Sequence, residues 1–247
     1  MSTNTQNATL PKSAEKKQKE GSRTFCLGDP HGGLRAIEQC FDRSGLNKKK
    51  DRLICIGDVA DGWPDAAESL EELLTVKNLY YVMGNHDWWL LEYLTWGKTP
   101  FIWLSQGGYA SLESYIDNPH LKEKHRDFYA EQPFYHILDN ILYVHGGFYD
   151  MRPIEEDDNY NLMWDRDLWR WADIGAQNYH SAYYRKIFIG HTTTSRVSSE
   201  PMQLLNIWNV DQGAGWEGKL TIMDVESEEF WQSDKVSTLY PGVKGRG

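Results

Sequence analysis

The chain has 247 residues, 40% hydrophobic and 13% aromatic, with a formal net charge of −10. That length buries the core of one domain or of two small ones, and the acidic balance excludes a duplex nucleic-acid binder, which presents basic charge to a phosphate backbone. Residues 1–23 hold five basic and two acidic side chains, so the remainder is more acidic still. Residues 1–22 are polar and Lys-rich, and the spacing predicts a flexible tail, because almost nothing there offsets the entropy of ordering. No apolar run of about 18 residues suits a membrane, and the expectation is a soluble cytoplasmic protein without a membrane partner. Cys26, Cys40 and Cys55, odd in number and without a CxxC spacing, read as buried apolar filler rather than a disulfide framework.

From Arg23 onward one pattern recurs. A short apolar, β-favouring run stops at glycine plus a polar residue able to hold a metal. The runs are Thr24 to Leu27 before Gly28-Asp29, Leu53 to Ile56 before Gly57-Asp58, and Leu79 to Met83 before Gly84-Asn85. Later come Ile141 to Val144 before His145-Gly146, and Ile187 to Ile189 before Gly190-His191. Helical periodicity occupies Leu34 to Phe41 and Asp65 to Thr75, the second with Pro64 ahead of its first turn.

Alternating strands and helices predict an α/β sheet covered by helices, with ligands gathering at the carboxyl ends of the strands. Residues 88–132, rich in Trp, Tyr and Leu, read as a helical cap inserted between the third and fourth runs. Its tryptophans, Trp88, Trp89, Trp96 and Trp103, read as cap core. Leu204 to Val210, Lys219 to Val225 and Glu229 to Gln232 alternate like strands of a second, more antiparallel sheet.

The strand ends together bring Asp29, His31, Asp58, Asn85, His145 and His191, with His86 and Asp61 beside them. Carboxylates, imidazoles and an amide carbonyl suit two borderline divalent cations, manganese first, with iron, zinc or nickel also accommodated. Two such cations clamp the attacking and leaving oxygens of a phosphoryl displacement, and Asp58, in the middle of the set, is the expected bridge. His120, His125, His136 and His180 lack this context and read as surface or cap residues. Trp63, directly after Gly62, is placed either to line the site or to fill the core, and Asp211 to Gly215 reads as a Gly-rich turn below it.

These motifs, Gly28-Asp29-Pro30-His31-Gly32, Gly57-Asp58-Val59-Ala60-Asp61-Gly62, Gly84-Asn85-His86-Asp87, His145-Gly146-Gly147 and Gly190-His191-Thr192, resemble those of the calcineurin-like metallophosphoesterases, in particular the phosphoprotein-phosphatase branch. The resemblance spans about residues 24–232. It implies a four-layer sandwich of two mixed β-sheets flanked by helices, within one metallophosphoesterase domain over 23–247.

It also implies roles. Asp29 and His31 hold a first cation, Asp58 bridges, and Asn85, His145 and His191 hold a second. His86 protonates the leaving oxygen and Asp61 orients it. The implied substrate is a phosphomonoester, phosphoserine or phosphothreonine in a protein being one class, with dinucleoside polyphosphates or other nucleotides as the alternative. The sequence departs from the protein-phosphatase pattern in having Gly62 and Met83 where that pattern carries arginine, and Asp87 where it carries glutamate. Leu162 to Asp167 resembles the family's apolar-Trp-x-Arg segment, so Arg166, with Asn85, is the expected phosphate contact.

Overall fold

A computed structural model describes residues 21–149, 153–174 and 183–246; of the expected tail all but the last two residues lie outside the described residues, as does His180. The strands are β1 (Thr24–Leu27), β2 (Arg52–Cys55), β3 (Asn78–Tyr81), β4 (Tyr135–Leu138), β5 (Ile141–Val144) and β6 (Lys186–Ile189), followed by β7 (Met202–Leu204), β8 (Ile207–Asn209), β9 (Asp211–Gln212), β10 (Lys219–Asp224) and β11 (Phe230–Gln232). The helices are α1 (Leu34–Ser44), α2 (Ala66–Leu74), α3 (Asn85–Trp96), α4 (Phe101–Trp103), α5 (Tyr109–Asp117), α6 (Lys122–Ala130), α7 (Asn159–Trp164), α8 (Asp167–Asp173) and α9 (Val236–Leu239).

One sheet has the order β11-β10-β1-β2-β3, with β9 on β10, and the other β4-β5-β6-β8-β7. Strands β1, β2 and β3 run parallel, Phe25 facing Leu53 and Leu53 facing Leu79, whereas β10 is antiparallel to β1. Buried on both faces, β1 and β2 need no polar alternation. Cys26 and Ile54 share a core with Tyr143, Phe188 and Met223 between the sheets, while the alternating Phe25, Leu27, Leu53 and Cys55 join the cluster that contains Ala36, Ile37 and Leu70 of α1 and α2. Each fully buried Leu, Ile or Phe contributes about 1.5–3 kcal/mol of that cohesion. On the far side, Leu142, Val144, Ile187 and Ile189 belong to the same cluster as Leu162, Leu168 and Trp169 of α7 and α8. Helices, sheet, sheet and helices make the four layers that the sequence implied.

Helix α1 buries Ala36, Ile37, Cys40, Phe41 and Ser44 along one stripe and stops at Gly45, whose φ of 62° closes the last turn. The cap is helical as expected, but α3 starts at Asn85 rather than 88, so His86 lies in its first turn.

Four sequence readings are corrected. The five early runs do not share one sheet: three lie in the first and two in the second. The late strands likewise divide, β7 and β8 joining the second sheet and β10 and β11 the first. Leu204 to Val210 is not one strand, because Leu205 at φ 57° turns the chain into an antiparallel β7–β8 hairpin. Strand β4, whose pairing with β5 buries His136, was hidden between cap and turn.

Candidate functional site

Every strand-end motif enters one crevice where the two sheets meet. Sharp turns bring them there: His31, Asp58, Asp61 and His191 have φ of 47°, 51°, 72° and 59°. Such conformations cost of order 1–3 kcal/mol each and persist only where the surroundings fix them. The fixing bonds run between segments distant in sequence. His31 N–H donates to the Asp58 carbonyl at 2.9 Å, His191 N–H to Asp29 Oδ2 at 2.8 Å, and Asp61 N–H to Ser111 Oγ at 2.8 Å. Glycines let them close up, since a Cβ on Gly84 would overlap Asp58 Oδ1 and one on Gly190 would overlap Asp29 Oδ1.

The imidazoles are presented in one sense. Nδ1–H of His31 donates to the Ala60 carbonyl at 3.0 Å and that of His145 to the Ile56 carbonyl at 2.7 Å, so Nε2 is the nitrogen each ring turns into the crevice. His145 Nε2 lies 3.3 Å from Asp58 Oδ2 and 3.2 Å from Asn85 Oδ1, and His31 Nε2 lies 3.7 Å from Asp58 Oδ2. Ligand atoms of Asp29, His31 and Asp58, and of Asp58, His145 and His191, fall within 4.8 Å of one another, both groups fully buried. Asp58 belongs to both. Its Oδ1 accepts from His86 N–H at 2.9 Å, but Oδ2, together with Asp29 Oδ1 and His191 Nε2, is buried without a hydrogen-bond partner.

Buried unpaired acceptors are costly, and their electrostatics show the strain. Burial, then Asp211, pushes the Asp29 carboxyl well above the usual carboxylate range. Burial acts the same way on Asp58, yet His145, His86 and His31 around it hold that carboxyl well below. His145 is drawn up to about 9: burial opposes its charge, but the Asp58 carboxylate prevails. His31 and His191 are pushed well down, chiefly by burial. Two divalent cations sharing Asp58 would satisfy all three orphaned atoms and neutralise the crowded carboxylates. The donor set therefore fits a dinuclear divalent-metal site.

His86 stands apart from both groups. Its Nδ1 pairs with Asp61 Oδ2 at 2.6 Å, and its Nε2 is buried without a partner, with the His31 ring 5.1 Å away. Arg166 is half-buried beside His191, Nη1 donating to the His191 carbonyl at 2.8 Å and to Thr192 Oγ1 at 3.2 Å.

The structure adds residues that the sequence reading passed over. Asp87 is a scaffold: its carboxylate accepts from the backbone N–H of Asp58, Val59, Ala60 and Gly84 at 2.7–3.1 Å and from Tyr81 Oη at 2.8 Å. Burial, then Asp58, raises it to about 6. An acidic side chain three residues into a helix that begins at glycine was its available signal. Trp103 Nε1 donates to Asp61 Oδ2 at 2.7 Å and Ser111 Oγ to Asp61 Oδ1 at 2.7 Å, so the cap holds the His86 partner in place.

Some assignments change. Trp63 fills the core, stacked on Tyr240 and donating to the Ala214 carbonyl. Trp88 and Trp96 are exposed rather than cap core, while Trp103 is fully buried. Asp211 to Gly215 is part of the wall and not merely a turn below it: Asp211 is buried, and a Cβ on Gly215 would press on the His31 ring. Of the histidines outside the crevice, His120 is exposed, His125 is buried within the cap, and His136 is buried on β4, away from both surface and cap. The cysteines are buried and unpaired as expected.

Residues 22–213 match the sequence profile of the calcineurin-like phosphoesterases. The asymmetrical bis(5'-nucleosyl)-tetraphosphatase PrpE of Bacillus cereus strain AH187 is 27% identical over 221 residues, spanning 79% of this chain and 87% of that protein. Its counterpart in Bacillus mycoides strain KBAB4 is 27% identical over 218 residues, with the same coverage. Among solved structures, a candidate diadenosine tetraphosphatase superposes with a TM-score of 0.65 at 15% identity, covering 87% of this chain and 94% of that one. A Saccharomyces cerevisiae protein serine/threonine phosphatase superposes at 0.61 with 14% identity, covering 91% and 83%. At such identities the structural likeness establishes the fold alone.

Proposed function

We propose, from the premise that this chain belongs to the calcineurin-like phosphoesterase family, that it is a phosphohydrolase cleaving a phosphoanhydride bond of dinucleoside polyphosphates through the strand-end crevice. The observation that carries the hydrolase reading is that Asp29, His31 and Asp58, and Asp58, His145 and His191, bring ligand atoms within 4.8 Å of one another, while Asp29 Oδ1, Asp58 Oδ2 and His191 Nε2 are buried without a hydrogen-bond partner. Asp29 and His31 would hold one cation, Asn85, His145 and His191 the other, and Asp58 both. Manganese is the proposed ion, and the same donors accommodate iron, zinc or nickel. When bound, the pair supplies an activated water and neutralises phosphate charge.

The chain's own residues do the rest. His86, its Nδ1 fixed by Asp61, delivers a proton from Nε2 to the departing oxygen. Arg166 and Asn85 hold the non-bridging phosphate oxygens. The domain comprises residues 23–247, with the cap as an insertion. Three unpaired buried cysteines suit the cytoplasm as its compartment. No helix among the described residues is long and apolar enough to cross a membrane.

A cavity of about 780 Å³ beside the crevice favours the polyphosphate. It is lined by Trp216, Arg196, Lys219 and Lys235, together with Glu217 and Thr193, and Trp216 places its ring 6.3 Å from that of His31. An aromatic face and three cations suit a base and a phosphate chain extending from the reacting group. The bacterial relatives named as tetraphosphatases support the same reading. A panel of diadenosine tetraphosphate, a phosphoserine peptide and p-nitrophenyl phosphate, assayed with Mn²⁺, tests it. The expected result is the highest kcat/KM on the tetraphosphate; a higher value on the phosphopeptide would overturn the substrate assignment.

A further inference from the structure

Gly62 stands at the rim of the crevice, and the volume a side chain would occupy there is already filled from a distant part of the sequence. A Cβ on Gly62 would meet Arg246 Cγ at 3.1 Å, one on Gly107 would meet the same atom at 3.2 Å, and one on Gly215 would meet Arg246 Cδ at 2.8 Å. Three glycines from three separate segments thus form the channel for one arginine stem. The segment bearing it is seated firmly. Arg246 N–H donates to the Gly215 carbonyl at 2.8 Å, and upstream Tyr240 stacks on Trp63 and donates its hydroxyl to Asp65 Oδ2 at 2.6 Å.

The guanidinium head lies over the Trp216 ring, 4.4 Å from its centroid. Nη2 donates to Gln106 Oε1 at 3.1 Å, Nη1 lies 3.0 Å from His31 Nε2, and Nε is buried with no partner. Under the hydrolase reading on which this step rests, the His31 Nε2 lone pair belongs to a cation. Nη1–H then loses its acceptor and joins Nε–H in needing one. These two donors leave opposite edges of the guanidinium, so each needs its own acceptor, and beside a phosphate-handling centre an oxygen of a phosphoryl group is the acceptor that suits the freed Nη1–H.

We propose that Arg246 is a phosphate-binding residue of this enzyme, delivered to the site by the segment after α9 and completing, opposite Arg166, a two-arginine grip that Gly62 leaves room for. Lys244, two residues earlier and exposed, has no such position.

Titration calorimetry of inorganic phosphate into the Mn²⁺-loaded full chain tests this without reference to substrate preference, because the ion presents the non-bridging oxygens common to every phosphoryl substrate and its binding is read directly. Arg246→Ala should raise the phosphate Kd about tenfold or more, the loss expected for a hydrogen bond to a charged group. Arg246→Lys should fall between, keeping charge but losing the planar fork. Lys244→Ala should match the unsubstituted protein, and bound manganese should be the same in all four. Unchanged or tighter phosphate binding in Arg246→Ala would overturn the proposal, and tighter binding would identify Arg246 as a plug. An equal loss in Lys244→Ala would reduce the effect to bulk charge, and manganese lost from Arg246→Ala would make it a prop for His31; either result also overturns it.

Discussion

Six histidines are buried among the described residues, and they fall into two regions that treat imidazole in opposite ways. In the periphery the protein itself answers the ring. His125 lies between Tyr115 Oη, 2.7 Å from Nδ1, and Glu71 Oε1, 2.6 Å from Nε2, and His136 donates Nε2–H to the Tyr81 carbonyl at 3.0 Å. In the crevice, Nδ1 of His31, His86 and His145 is tied to the protein, while Nε2 of His86 and His191 ends in a buried place without a partner. Burial alone therefore says little about a histidine. A second nitrogen held out of water with nothing from the chain to meet it is what separates a site from a core.

The sharpest way to break that contrast is to remove the group that both candidate metal triads share. Asp58→Asn should strip most bound metal and lower phosphate-ester hydrolysis by several orders of magnitude, since charge neutralisation and water activation fail together. Elemental analysis alongside turnover checks it, and two metals retained at near-normal turnover would place the bridge elsewhere.

Within the crevice, His86 should behave unlike the triad histidines. His86→Asn is expected to keep both metals yet slow esters with poor leaving groups roughly 10²–10⁴-fold, the range of general acid catalysis. Nitrophenyl phosphate, whose leaving oxygen scarcely needs a proton, should be affected far less. Asp61→Asn should give a weaker version of that split. An equal loss on both substrate types would remove His86 from the acid role.

The smallest effect belongs to the periphery and concerns stability alone. Burial pushes His136 down to about 4 from an ordinary value near 6.5. As pH falls below about 6.5 the unfolded chain takes up a proton that the folded chain refuses, so stability is full above that pH and declines toward 4. At 1.36 kcal/mol per unit this is about 2 kcal/mol between pH 6.5 and 5. His136→Gln keeps a donor for the Tyr81 carbonyl and should flatten that acid limb in urea unfolding, with metal content and turnover unchanged. An acid limb as steep as before would show that His136 does not titrate in unfolding.

How much of this was legible beforehand follows the range of the interactions. Apolar runs stopping at Gly-Asp, Gly-Asn, His-Gly and Gly-His are local, and they placed the residues proposed as ligands at or just after strand ends, with the helices between early strands close to where they lie. The amphipathic stripe of α1 and the apolar runs of β1, β2, β5 and β6 are properties of neighbouring residues, readable by period alone. The sheet each strand joins is not local. β8 pairs with β6 and β10 with β1 because of burial on both faces, and apolar strands look alike in either sheet.

The same division runs through the site. Sequence determined the chemistry: carboxylates, imidazoles and an amide in an order suited to two divalent cations and a phosphate. Tertiary structure decided what meets them. Asp87 gathers four backbone N–H groups from two loops, Trp103 of the cap fixes Asp61, Trp63 turns into the core, and Arg246 reaches His31 across 215 positions of sequence. These outcomes depend on which surfaces close together in space, and a hydrogen bond or a stacked ring between distant segments leaves no periodic trace in either one.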